Sequence, residues 1–155
     1  MRIALYQPDI APNVGTLLRL GACLSVPVDI IEPCGFPMGD RALRRAGMDY
    51  SRNTDLSRHD DWAAFSKAHA GKRRILLTTQ APMAYSVFRF RPDDILLVGR
   101  ESAGVPLEVH EAVDARIKIP MAEGLRSLNV AVAAAMVLGE SLRQTDQFPK
   151  DGSTP

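Results

Sequence analysis

Residues 96–104 read LLVGRESAG, an apolar run that stops at a glycine and continues as a polar loop. The run Ile95–Val98 predicts a buried β-strand, and Pro106 beyond the loop suits the first turn of a helix. The spacing of Gly99 and Gly104 leaves two interpretations open: a plain tight turn, or a loop that lets a ligand approach the backbone closely. It matches neither a Walker loop nor a GxGxxG motif.

The same alternation of strands and helices extends along the chain in both directions. Four further apolar runs predict strands, at residues 3–6, Val28–Ile31, 75–79 and 115–119. Helices are predicted from Asn13, as the N-terminal cap, to about Leu24, and over residues 41–46, 61–70 and 127–143. We therefore expect an α/β fold, with a mainly parallel sheet and helices on both faces.

The composition is that of an ordinary soluble domain. With 155 residues, 46% hydrophobic and 24% charged, the chain can bury a core without disulfides or metal. We expect one domain over residues 1–146 and a flexible polar tail over 147–155. Cys23 and Cys34 form neither a disulfide framework nor a zinc motif, and no apolar run is long enough to span a bilayer. A cytoplasmic protein without membrane or metal is expected.

The formal net charge of +1 gives no sign of a polyanion partner, but the positive charge is unevenly distributed along the chain. Residues 41–58 contain five arginines and two aspartates. Such a local stripe is either a solvated helix surface or a phosphate-binding patch. On the second interpretation Arg41, Arg44 and Arg45 would contact RNA phosphates.

Ligands of parallel α/β sheets bind at the carboxyl ends of the strands. That rule selects residues 78–79, 99–104 and 119–127. The last of these leads into Arg126, Ser127 and Asn129, where Ser127 or Asn129 either caps the following helix or belongs to a site. A further segment, QPDIAPNVGTLLRLGAC at residues 7–23, contributes the polar side chains of Asn13 and Arg19.

Residues 7–23, 96–104 and 119–140, in this order along the chain, resemble the three motifs of the SPOUT methyltransferases. Residues 31–50, IEPCGFPMGDRALRRAGMDY, resemble the TrmL- or YibK-like subfamily, which methylates the ribose of the tRNA wobble nucleotide. The resemblance implies a trefoil knot near the C-terminus, S-adenosylmethionine (AdoMet) bound in that knot, a homodimer without metal, and a tRNA substrate with C or U at the first anticodon position.

The resemblance also implies roles for individual residues. Arg19 matches the arginine associated with catalysis, and Asn129 matches a polar residue near the methyl transfer site, beside Ser127. Glu101 matches a loop glutamate that we expect to orient an arginine. The implied cofactor-binding positions are Leu77, Gly99, Ile119 and Ser127, with Met121 and Leu128 as weaker candidates to flank the adenine.

Two alternatives remain open at this stage, because Val130–Val132, Gly139 and the 99–104 loop depart from the subfamily pattern. One is a ribose 2′-O-methyltransferase acting on another tRNA or rRNA position, and the other is a non-catalytic RNA-binding protein. Ala131, Ala135 and Gly139 lie along one helix face. They predict either a dimer packed through the first and last helices or packing within one chain.

Overall fold

The computed structural model describes residues 1–37 and 55–150. Within them lie seven strands: β1 (Arg2–Tyr6), β2 (Val28–Ile31), β3 (Leu56–His59), β4 (Arg74–Leu77), β5 (Met83–Ala84), β6 (Ile95–Val98) and β7 (Ala115–Lys118). The helices are α1 (Ala11–Leu24), α2 (Trp62–Ala68), α3 (Leu107–Ala112) and α4 (Val130–Thr145), with a 3₁₀ turn at Tyr85–Val87. The strands form one sheet in the order β3-β2-β1-β6-β4-β7-β5, and every pairing between them is parallel.

Both faces of the sheet are covered, because successive side chains of a strand point to opposite faces. Ile3 and Leu5 of β1 face the layer that contains α1 and α4. Ala4 and Tyr6 of the same strand face Phe65 of α2 and Val109 of α3. The predicted α/β class, the parallel sheet and the helices on both faces are confirmed.

The apolar runs locate most strands closely, and the differences have local causes. β2 and β6 have the predicted bounds, whereas β3 and β5 were not predicted. β3 reads Leu-Ser-Arg-His, which lacks an apolar pattern because it is an edge strand; its Arg58 forms an ion pair with Glu32. β5 has only two residues.

Two predicted helix starts are wrong. α1 begins at Ala11 with a proline in its first turn and Ile10 as its cap, so Asn13 lies inside the helix and does not cap it. α4 begins at Val130 rather than at residue 127, because the Asn129 side chain accepts hydrogen bonds from the backbone of Ala131 and Val132. Of the two caps considered from the sequence, Asn129 is the one observed.

Several predictions concern residues that are not described. The basic helix at 41–46, with Arg41, Arg44 and Arg45, lies outside the described residues, as do residues 151–155 of the predicted tail. Gln147, the first residue of that tail, accepts a hydrogen bond from the Met1 amino group at 3.1 Å. The flexible tail and the trefoil knot stay predictions.

Candidate active site

A cavity of about 460 Å³ lies at the carboxyl ends of β4, β6 and β7. All three places that the sheet rule selected contribute to its wall. The structure therefore brings together every position that the resemblance assigned to the cofactor: Leu77, Gly99, Ile119 and Ser127, with Met121 and Leu128 beside them. Asn13 and Asn129 line the same cavity.

The loop between β6 and α3 is closed by its own backbone. Arg100 and Gly104 exchange two N–H···O hydrogen bonds of 2.9 Å. A Cβ atom on Gly99 would lie 2.6 Å from the carbonyl carbon of Gly104, closer than real Cβ contacts come. Gly104 has a φ of +67°, which favours glycine. The loop is thus a tight turn that also lines the cavity, and the close approach of a ligand to its backbone stays a prediction.

A chain of amide and carboxylate groups crosses one side of the cavity. The Asn129 amide, whose oxygen caps α4, donates through Nδ2 to Asn13 Oδ1 at 2.9 Å. Asn13 in turn donates through its own Nδ2 to Glu101 Oε1 at 2.8 Å. This chain fixes the orientation of both asparagine amides, because each uses its oxygen as an acceptor and its nitrogen as a donor. The group that Glu101 orients in this way is the Asn13 amide.

Two carboxylates meet at the outer end of this chain. Glu101 Oε2 accepts from the backbone N–H of Asp9 at 3.2 Å, and Asp9 accepts from the backbone N–H of Glu101 and from the Ser102 hydroxyl. Hydrogen bonds from Glu101 and Ser102 lower the pKa of Asp9 to about 2. Burial, together with the Asp9 carboxylate, raises the pKa of Glu101. Glu101 is therefore the member of the pair that takes up a proton first as the pH falls.

Arg19 lies apart from this arrangement within one chain. It follows Asn13 by six residues on α1, a rotation of roughly 240° around the helix axis. Asn13 faces the cavity, whereas Arg19 is exposed and does not line the cavity. A catalytic role for Arg19 stays a prediction, and it requires a partner chain or a movement of α1.

A second cluster of ionisable groups lies beneath β2, on the face that packs against α2. The fully buried Asp29 carboxylate accepts from Arg2 Nε at 2.8 Å and contacts the Nε2 atoms of His59 and His69 at 2.8 and 3.0 Å. Burial alone would raise the pKa of Asp29, but the hydrogen bonds from these three side chains outweigh it and lower the pKa.

The three metal-ligating side chains in this cluster have atoms within 4.8 Å of one another. The Arg2 guanidinium already neutralises the carboxylate, so the cluster is complete as a hydrogen-bonded ion pair. The expected absence of a metal cofactor stays a prediction. None of the helices in the described ranges is long and apolar enough to cross a membrane.

Sequence reasoning missed several members of the site, two of them inside the matched segments 7–23 and 96–104. Asp9 and Ser102 gave no signal, because their role depends on two loops that meet only in the folded chain. His110 of α3 also lines the cavity. A lone histidine in a short helix carries no pattern from which this position could be deduced.

The chain matches known proteins over most of its length. Residues 1–139 match the SpoU rRNA Methylase family. Over 155 residues the chain is 58% identical to a tRNA (cytidine(34)-2′-O)-methyltransferase of Beijerinckia indica, covering 99% of this chain and 97% of the relative. It is 40% identical to the protein of that name from Escherichia coli K12, with 93% of each chain covered.

Solved structures agree with these relatives. A structure described as giving insights into the 2-OH methylation of C/U34 on tRNA superposes with a TM-score of 0.86 at 40% identity, covering 92% of this chain and 94% of that one. An AdoMet-bound rRNA methyltransferase from Sinorhizobium meliloti has a TM-score of 0.81 at 24% identity, covering 92% and 55%, and this likeness shows the fold alone. Because the family model matches residues 1–139 and the relatives are similar over nearly the whole chain, the chain belongs to the SpoU methylase family.

Proposed function

We propose that this protein transfers a methyl group from AdoMet to the ribose 2′-hydroxyl of nucleotide 34, a C or U, in the tRNA anticodon loop. The observation that carries the proposal is the convergence of all three matched segments on one cavity. The chain is also 58% identical, over 99% of its length, to a tRNA (cytidine(34)-2′-O)-methyltransferase. Its site of action is then the cytoplasm, where tRNA is found.

The volume and the lining of the cavity support AdoMet as its ligand. Its volume of about 460 Å³ falls within the usual range for small-molecule sites. Leu77, Val98, Ile119, Met121 and Leu128 supply apolar surface for a purine ring. Gly99, having no side chain, leaves the backbone open to polar groups of the ligand. When bound, AdoMet supplies a methyl group that is already activated for transfer.

The residues of this chain have to align the ribose oxygen with that methyl group and stabilise the charge that develops on the oxygen. Asn129 is held by its bonds to Asn13 and to the start of α4, so it is pre-organised for positioning. Ser127 lies two residues away on the same cavity wall. Arg19 stays protonated and is therefore assigned as a donor to the developing negative charge, not as a base.

We further propose that the working unit is a homodimer in which Arg19 of one chain serves the cavity of the other. α1 and α4 pack on the same face of the sheet, and Val132 and Met136 of α4 leave 52% and 41% of their surfaces exposed there. Exposed apolar side chains on α4, together with the exposed Arg19 of α1, suit an interface that brings an arginine to a neighbouring site. Ala131, by contrast, packs into the core of its own chain.

Arg41, Arg44 and Arg45 are proposed to contact tRNA phosphates. Neutralising phosphates releases counterions, so tRNA affinity should fall steeply as the salt concentration rises. Replacing all three arginines by glutamine should weaken tRNA binding and flatten this dependence on salt, while the affinity for AdoMet stays unchanged.

The experiment that tests the proposed function incubates the purified protein and AdoMet with total RNA from a strain that lacks this gene, followed by nuclease digestion and mass spectrometry of the separated tRNA and rRNA. We expect one added methyl group, on the ribose of nucleotide 34. Methylation of a base, or of a ribose in another tRNA position or in rRNA, would refute the assignment to nucleotide 34. Binding of tRNA without methyl transfer would instead favour a non-catalytic RNA-binding protein.

A further inference from the structure

His110 of α3 is one of the residues that line the cavity, and the contact of its ring with Arg116 indicates which ring nitrogen carries the hydrogen. Its Nδ1 atom lies 3.2 Å from NH1 of Arg116, the second residue of β7. A guanidinium only donates hydrogen bonds, so Nδ1 must be the acceptor in this contact. The ring is therefore the neutral tautomer, with its hydrogen on Nε2.

The Nε2–H group that results is a buried donor without an acceptor. Within residues 1–37 and 55–150, Nε2 is the one buried side-chain nitrogen or oxygen that has no hydrogen-bond partner. Buried polar groups are nearly always paired, because an unpaired one has lost its bonds to water and gained nothing in return. The other buried polar side chains described above, including Asp29 and Asn13, are all satisfied.

We propose that the missing acceptor is an atom of the cofactor, and that His110 is a further AdoMet-binding residue that donates a hydrogen bond from Nε2. The inference rests on the proposed function. The acceptor is an oxygen or ring-nitrogen lone pair, which AdoMet offers both on its nucleoside and on its carboxylate. Arg116 then acts as a positioning residue, because its bond to Nδ1 keeps the hydrogen on Nε2.

The first test measures the binding of S-adenosylhomocysteine, the demethylated product, by calorimetry. Replacing a donor by an apolar group should weaken binding in His110→Leu by roughly three- to tenfold, the range expected for one neutral hydrogen bond. His110→Gln, which keeps an N–H donor, should recover part of the affinity. Glu111→Gln, an exposed neighbour on the same helix, is the matched control and should bind like the wild type.

Titration with 5′-methylthioadenosine, which lacks the amino-acid part, identifies the acceptor. If His110→Leu weakens this ligand by the same factor, the acceptor lies on the nucleoside; if it does not, the acceptor is the carboxylate. Both results support the proposal. Equal affinity of wild type and His110→Leu for S-adenosylhomocysteine would overturn it and leave Nε2 to a water molecule. A wild type that binds no S-adenosylhomocysteine would refute the proposed cofactor itself.

A second test needs no substitution at His110, so it does not depend on a variant that folds. Nitrogen NMR of the histidine rings should show the Nε2–H tautomer in the free protein and a shift of the Nε2 resonance when S-adenosylhomocysteine is added. Arg116→Met should allow the hydrogen to redistribute between the two nitrogens of the free ring. An Nδ1–H tautomer in the wild type, or an unmoved Nε2 resonance at saturation, would contradict the proposal.

Discussion

At the scale of single residues, Asn129 performs two tasks with one amide group. Its oxygen caps α4 by accepting from the N–H groups of Ala131 and Val132 at 2.9 and 3.2 Å, and its nitrogen donates to Asn13. The sequence presented the cap and the site as alternatives, because either explains a polar residue before an apolar helix. Only the position of Asn13, reached across the fold, shows that one side chain both caps α4 and joins the hydrogen-bonded chain at the cavity.

The two tasks of Asn129 can be separated by substitution. Asn129→Ser keeps a good cap but loses the amide that reaches Asn13, so its melting temperature should stay close to that of the wild type while methyl transfer falls at least about tenfold. Asn129→Ala should lose both, with about 1 kcal/mol less stability. Thermal melts and transfer rates check this. A Ser variant with full activity would show that Asn129 is only a cap.

Gly99 and Gly139 form a matched pair of glycines for testing the loop. A Cβ atom on Gly99 would collide with the backbone of Gly104, whereas a Cβ on Gly139 meets nothing within 4 Å. Gly99→Ala should therefore distort the cavity loop and weaken S-adenosylhomocysteine binding by at least about tenfold, the equivalent of 1.4 kcal/mol. Gly139→Ala should bind normally and gain up to about 1 kcal/mol of stability from its better helix propensity. Normal binding by Gly99→Ala would exclude the close approach as a requirement of the site.

At the scale of secondary-structure elements, hydrophobic patterns predicted what is buried and missed what is held by polar contacts. β6 is an apolar run and β2 is apolar except for Asp29, and both strands are buried on both faces, so their bounds follow from the sequence. β3 has one apolar residue, and polar contacts hold it at the sheet edge. Arg58 is hydrogen-bonded to Glu32, and His59 is hydrogen-bonded to Asp29. Such partners, some thirty residues away in the chain, leave no local pattern.

The Asp29 cluster joins β1, β2, β3 and the end of α2, so it should matter for stability. Asp29→Asn leaves Arg2 partly buried without its counter-ion, and we expect a loss of about 2–4 kcal/mol, less than for a fully enclosed pair because Arg2 reaches solvent. Urea unfolding at neutral pH measures this loss. A loss below about 1 kcal/mol would show that this ion pair contributes no more than an exposed one does.

The same cluster gives a dependence on pH whose sign follows from the pKa of Asp29. Because the folded protein lowers that pKa, the stabilisation is fully present above the ordinary value of about 4 and is lost as the pH falls through the folded value. The difference in unfolding free energy between wild type and Asp29→Asn should therefore shrink on the acid side of pH 4. A difference that stays constant from pH 7 to pH 3 would contradict this account.

At the scale of the whole molecule, the parallel sheet places the site, and the resemblance supplies what the sheet rule does not. The rule selects the carboxyl ends of the strands without saying which ligand they bind. The resemblance supplied AdoMet and the ribose target, and it assigned Arg19 to a site that Arg19 does not reach within one chain. His110 was found by neither route, because its unpaired nitrogen exists only in the folded protein.

A composite site shared between two chains makes a prediction that a site within one chain does not. Arg19→Ala and Asn129→Ala should each be inactive alone, but mixed dimers should regain activity. In such a dimer one of the two cavities has both residues intact, so at most half of the wild-type activity per mixed dimer is expected. Mass spectrometry of differently tagged chains should establish that mixed dimers form. Mixed dimers without recovered activity would exclude the shared site.

The central claim is that the methyl group goes to the ribose oxygen of nucleotide 34. The most direct measurement compares methyl transfer from labelled AdoMet to three versions of one tRNA: unaltered, with a single 2′-deoxy nucleotide at position 34, and with a single 2′-deoxy nucleotide at position 32. We predict full incorporation into the first and third and none into the second, because only the second lacks the accepting oxygen. Equal incorporation into the second version would contradict the account.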